Sequence, residues 1–336
     1  MQYSRRQLLA TGSAVAIGLS LAKPIRVAAQ AAPIKIRVGY LPVLPSDGHL
    51  AIGEQLGFWK EAGLELETIK FNSGPEQFQA LVGGSIDVLT AGAALANFPA
   101  RGEGKVFLAG FLEKASTQLW VNPALGVQSF ADLKGKNIAT TLGTTAELML
   151  GLALADAKLD RAKDVQVINQ RMPDAVTAFI AGSVPAVATW VPFDVQIRAQ
   201  LPQAKMLADA GRYHPASAVL DGWAAASEYH QKNPEALRRL VRGWIKANDY
   251  LHSRRGEALA MLHAKRYPNL KREEVDSMIN ALDVYDTATW RRMYEDGTVA
   301  RWLNQTTEFF AKSGNIKNML KAEQYFDPSL FLAASK

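Results

Sequence analysis

Short apolar runs alternate with amphipathic ones from residue 34 to residue 200, and this alternation confines the chain to α/β architectures. Residues 34–38 alternate apolar and basic side chains before Gly39, which reads as a strand, and residues 49–56 read as a helix stopped by Gly57. Residues 64–71 form a second strand. Ser73-Gly74-Pro75-Glu76 then starts a helix, since proline suits a first turn and the glutamate can support the cap. Residues 87–90 and 105–112 read as strands around a helix at 93–101. The rhythm restarts after residue 115, with strands at 119–121, 137–140, 165–168 and 186–189 and helices at 145–157, 173–181 and 193–200. Residues 216–226 are apolar enough to carry the chain back to the first unit, and the remainder reads as helical without further strands. A chain of 336 residues exceeds one compact core. The expectation is two α/β lobes, each a mostly parallel sheet flanked by helices, with a helical C-terminal extension on the first. Residues 32–114 and 216–336 form lobe I, and 115–215 form lobe II.

Residues 1–31 stand apart. Arg5-Arg6 precedes an uncharged run from Leu8 to Ala22 that is diluted by glycine and serine, and small residues follow at Ala28 and Ala29. The pattern reads as a twin-arginine export signal, with an ordinary secretory signal as the alternative, and the run is too short and too polar for an anchor. Four of the 38 basic residues and none of the 32 acidic ones fall there, so the overall charge of +6 drops to about +2 in the exported chain. No block of basic residues marks a nucleic-acid footprint. The absence of cysteine excludes disulfides, thiolate metal sites, iron–sulfur clusters and a lipid-modified cysteine.

Five segments carry a resemblance across residues 34–315. They are Leu56-Gly57-Phe58-Trp59-Lys60-Glu61-Ala62-Gly63-Leu64, Asn72-Ser73-Gly74-Pro75, Gly83-Gly84-Ser85-Ile86-Asp87-Val88, Asp132-Leu133-Lys134-Gly135-Lys136 and Trp190-Val191-Pro192. In this order and spacing the chain resembles the nitrate/sulfonate/taurine class of ABC-importer binding proteins. The resemblance implies a two-lobed type II periplasmic-binding-protein fold that works as a monomer. It also implies a ligand cleft between the lobes and a permease and ATPase as partners at the inner membrane. The implied ligand is a small anionic organic solute of the sulfonate or taurine kind, with a pyrimidine precursor or an aromatic carboxylate as alternatives. No cofactor or metal is expected.

Ligands of open α/β sheets bind beyond the carboxyl ends of strands, where helix N-termini offer free amides. The candidates at such ends are Tyr40, Ser73 and Gly74, Gly92 and Ala93, and Gly143, Thr144 and Thr145. Ser73 serves equally well as a helix cap. Thr144 with Glu147 fits a capping box, and Gly92-Ala93 fits plain helix–sheet packing. Trp190 is either a ligand wall or a core tryptophan. Asp221, at the return crossing, corresponds to an acidic residue that faces the ammonium in taurine-binding relatives, and otherwise is a solvated loop aspartate. Glu113, at the other crossing, is either a cleft acid or a surface charge. His49, His214, His230, His252 and His263 show no metal spacing and read as surface residues.

A catalytic reading has little to stand on. No nucleophile elbow or phosphate loop is present, and the fold-related synthase of the thiamine pyrimidine relies on a cysteine-rich motif that this chain lacks. The expectation is a binding protein without turnover.

Overall fold

The computed structural model describes residues 32–215 and 218–336, so the signal expected at 1–31 lies outside the described residues. Eleven strands build two sheets. The first contains β1 (Ile34–Tyr40), β2 (Leu64–Lys70), β3 (Val88–Ala91), β4 (Lys105–Glu113), β10 (Val219–Ala225) and β11 (Leu282–Asp283), in the order β11-β4-β10-β3-β1-β2. The second contains β5 (Thr117–Val121), β6 (Asn137–Thr140), β7 (Gln166–Asn169), β8 (Ala186–Trp190) and β9 (Lys205–Asp209), in the order β7-β6-β8-β5-β9. The chain leaves the first sheet after Glu113, enters the second at Thr117, and returns between Asp209 and Val219.

The parallel pairing expected for each sheet holds on one side only, which corrects the reading of both as mostly parallel. β1 runs parallel to β2 and β3, and β6 runs parallel to β7 and β8. The strands next to the two crossings run the other way: β10 is antiparallel to β3 and β4, and β5 is antiparallel to β8 and β9. A strand that enters a sheet directly from a crossing has no helix over which to loop back, so it runs antiparallel to its neighbours. β9 and the two-residue β11 were not expected from the alternation.

Each sheet has its own apolar core, and a third core joins the helix Leu44–Gln55 to the C-terminal helices. The partition is not strict. Leu41 and Val43, which follow β1, pack with the second sheet's core, whereas Leu148, on a helix of the second sheet, packs with the first. His49 is buried, contrary to its surface reading: its ring stacks on Phe111 with centroids 4.2 Å apart and its Nε2 lies 3.2 Å from Asn248 Oδ1. Burial holds its pKa down to about 3, so it remains a neutral core side chain.

Candidate functional site

Both sheets point strand ends at one cleft. Two segments of the first sheet's side form one wall, Leu41 to Pro45 after β1 and Gly92 to Ala94 after β3. Thr144 and Thr145, which open the helix Thr145–Asp156, and Trp190-Val191 after β8 form the opposite wall. Gly74 after β2, Glu113 at the end of β4, Ser116 in the first crossing and Asp221 on β10 complete the lining. Seven of the ten residues singled out from the sequence line this cleft: Gly74, Gly92, Ala93, Thr144, Thr145, Trp190 and Asp221.

The other three are placed elsewhere. Tyr40 carries the Arg266 guanidinium over its ring at 4.4 Å. Ser73 is engaged as a helix cap, its hydroxyl accepting from the Glu76 amide at 3.3 Å. Gly143 sits where elements of the two sheets meet: its φ is +78°, and a Cβ there would lie 3.0 Å from Asn97 Nδ2 and 3.5 Å from Pro75. The capping box expected at Thr144 does not form, because Glu147 takes the amide of Gly143 and not that of Thr144. Glu147 accepts the Gly143 amide at 2.5 Å and pairs with Arg161 at 2.6 Å, but the Thr144 hydroxyl donates to the Thr141 carbonyl at 2.6 Å and caps nothing. The first-turn amides of that helix therefore lack a side-chain cap.

Hydrogen-bond direction gives the cleft its character. The Thr145 hydroxyl accepts from the Ala93 amide at 3.2 Å and donates to Glu113 Oε1 at 3.2 Å, which ties the second sheet's helix to the first sheet's wall. The Ser116 hydroxyl donates to Glu113 Oε2. With the Thr144 proton also spent internally, all three hydroxyls face the cleft as acceptors. Asp221 is 4 % exposed and receives no side-chain hydrogen bond among the described residues. Gly92 lies between the acids: a Cβ there would stand 2.5 Å from Glu113 Oε1, 2.7 Å from Thr145 Oγ1 and 3.7 Å from Asp221 Oδ2. Among the described residues, no lysine, arginine or histidine lines the cleft.

Glu113 and Asp221 are thus buried cleft acids, and the surface and solvated-loop alternatives fall away. Burial raises the Glu113 carboxyl, against the opposing bonds from Ser116 and Thr145. Burial, then the Glu113 and Asp47 carboxylates, push Asp221 well above the usual carboxylate range, and only the Gly222 amide opposes them. Asp47 lies deeper, fully buried. Arg266 Nε holds it at 2.7 Å and the Tyr267 hydroxyl donates to it, yet burial still lifts it to about 6.

A carboxyl whose folded pKa is raised contributes stability that is present below the unfolded pKa and is lost as pH rises through the folded one. The ligand-free protein is therefore expected to lose stability above pH 4, with a slope of up to about 1.4 kcal/mol per pH unit for one proton. Asp221→Asn should flatten this slope. Urea unfolding at several pH values measures it, and an unchanged slope in the variant would remove Asp221 as its source.

Sequence reasoning missed Ser116 and the apolar wall residues Leu41, Val43, Pro45 and Val191. The serine carried one usable signal, its place three residues after Glu113 within the predicted crossing. The wall residues are chemically indistinguishable from core.

A model of the family described as NMT1/THI5 like matches residues 48–258. A Brucella abortus protein, provisionally named a binding protein, is 28% identical over 305 residues, covering 89% of this chain and 92% of its own. An Escherichia coli protein, provisionally named an aliphatic sulfonates-binding protein, is 28% identical over 250 residues, covering 73% of this chain and 76% of its own. Among solved structures, the alkanesulfonate-binding protein SsuA from Xanthomonas axonopodis, bound to MOPS, superposes with a TM-score of 0.71 at 21% identity. That alignment spans 89% of this chain and all of the other, and it establishes the shared fold.

Proposed function

For a chain that belongs to the NMT1/THI5-like family, we propose the role of solute-binding component of an ABC importer, closing two lobes on a small organic solute. The solute carries an amine as well as an anionic group, as an amino-sulfonate of the taurine kind does. The buried Asp221 carboxyl carries this reading. It opens into the cleft beside Glu113, no side chain among the described residues donates to it, and an ammonium satisfies both acids. The sulfonate half of the reading draws on the relatives. An amine-free anion such as nitrate meets two carboxyls and no cationic side chain in the lining.

The same reading places the protein in the periplasm after twin-arginine export of residues 1–31, as a monomer that delivers its solute to a permease and ATPase. In this reading it binds without turnover, which draws on the relatives named for binding and not for catalysis.

A ligand touching both walls favours the closed arrangement, so saturating taurine is expected to compact the protein by hinging at residues 113–117 and 209–219. Small-angle scattering reads this as a smaller radius of gyration. Verified binding with an unchanged radius would overturn closure.

A further inference from the structure

A second recess opens beside the cleft. It shares Leu41, Val43 and Trp190 with the inner cleft as common wall. Both sheets contribute to it: Lys70 ends β2, Pro173 lies on the helix Met172–Ile180, and Phe193 follows β8. Trp190 is the partition, buried on the cleft side and packed edge-on against Phe193 with centroids 6.2 Å apart. Apart from Lys70 and the polar Asn72, the remaining walls are proline and aliphatic side chains. Lys70 is the one cationic side chain lining either compartment, and it forms no ion pair among the described residues. At the rim, Glu76 accepts the Asn72 amide at 3.1 Å.

The two compartments differ in sign. Glu113 and Asp221 are the only ionisable side chains lining the inner one among the described residues, and its hydroxyls are acceptors, so the acid end of a zwitterion is disfavoured where its amine is held. Past Trp190 the field reverses at Lys70, and the apolar walls between suit a chain of methylenes. We propose that the outer recess is a second subsite, which holds the acid group of an extended ligand at Lys70 while the amine sits at Asp221. The solute is then an ω-amino sulfonate or carboxylate with a chain longer than the two carbons of taurine. This rests on the reading of Asp221 as the amine anchor.

The test is calorimetric titration of taurine, 3-aminopropanesulfonate, 6-aminohexanesulfonate and hexylamine into the full mature chain and into Lys70→Ala, Lys70→Arg and Asp221→Ala. Lys70 is exposed, so its variants keep the fold. Wild type should bind more tightly as the amino-sulfonate lengthens. Lys70→Ala should weaken the six-carbon amino-sulfonate about fivefold, as loss of an exposed ion pair does, and leave hexylamine unchanged. Lys70→Arg should retain wild-type affinity, and high salt should erase the Lys70→Ala difference. Tightest binding of taurine, or a Lys70→Ala effect equal on hexylamine and the amino-sulfonate, overturns the second subsite while an Asp221→Ala loss leaves the amine anchor standing. Indifference of every ligand to Asp221→Ala overturns both.

Discussion

Asp221→Ala is expected to weaken taurine binding more than a hundredfold. The carboxyl is buried on β10, pressed by Glu113 and Asp47, and free of side-chain donors among the described residues, so an ammonium bound there would be its principal partner. Removing one member of a desolvated charge pair costs about 3–5 kcal/mol, because the other charge stays out of water without compensation. Propanesulfonate, which lacks the amine, should lose far less. The comparison is calorimetric, with both ligands titrated into wild type and variant at one pH. Equal weakening of the two ligands, or wild-type preference for propanesulfonate, removes Asp221 as an amine anchor. The apolar wall of Trp190 would then point to a simple sulfonate or an aromatic compound.

Gly92→Ala should reduce binding by roughly two orders of magnitude through a different route. The added methyl would occupy the point where Glu113 Oε1 and Thr145 Oγ1 converge, 2.5 and 2.7 Å away, so both side chains must turn aside. Turning Thr145 breaks its bonds to the Ala93 amide and to Glu113, and leaves a buried acid with Ser116 as its remaining donor. Buried polar groups that lose partners cost about 1–3 kcal/mol each, so a total near 3 kcal/mol is reasonable. The variant should fold, since the displaced atoms belong to side chains facing a cavity and not to backbone. Circular dichroism checks the fold and calorimetry the affinity. Wild-type affinity in a folded Gly92→Ala would mean that the Thr145 bridge is not part of the bound state.

Much of this architecture is legible in the sequence. The helix starting at Gly74 was readable because Ser73, Pro75 and Glu76 each favour a helix start through local chemistry, and the cap forms as expected. Most strands up to β8 were readable because short apolar runs bounded by turn residues have few other uses, whereas β9 and β11 were not. Strand order was not, since the insertion of β10 between β3 and β4 is a tertiary choice that no local pattern encodes. The site divides in the same way. Gly92 and Thr145 could be named from their place at strand ends, whereas the burial of Glu113 and Asp221 depends on the pairing of β10 with β4, which no local pattern encodes. Thr144 misled because its neighbours satisfy a capping pattern while its hydroxyl finds a nearer carbonyl at Thr141. Tyr40 misled because Arg266, distant in sequence, covers its ring.

The position of β10 also sets the order in which the molecule can assemble as it leaves the ribosome. The five-stranded sheet draws all its strands from one continuous stretch, Thr117 to Asp209, so its pairing can be complete once that stretch has emerged. The six-stranded sheet cannot close at that stage, although four of its strands were synthesised first, because the gap between β3 and β4 waits for Val219–Ala225. The later-made sheet is therefore the first that can finish, and the amino-terminal strands stay unpaired along an exposed apolar seam for the time needed to translate more than a hundred residues. That interval is when the chain is most exposed to aggregation and most in need of a chaperone.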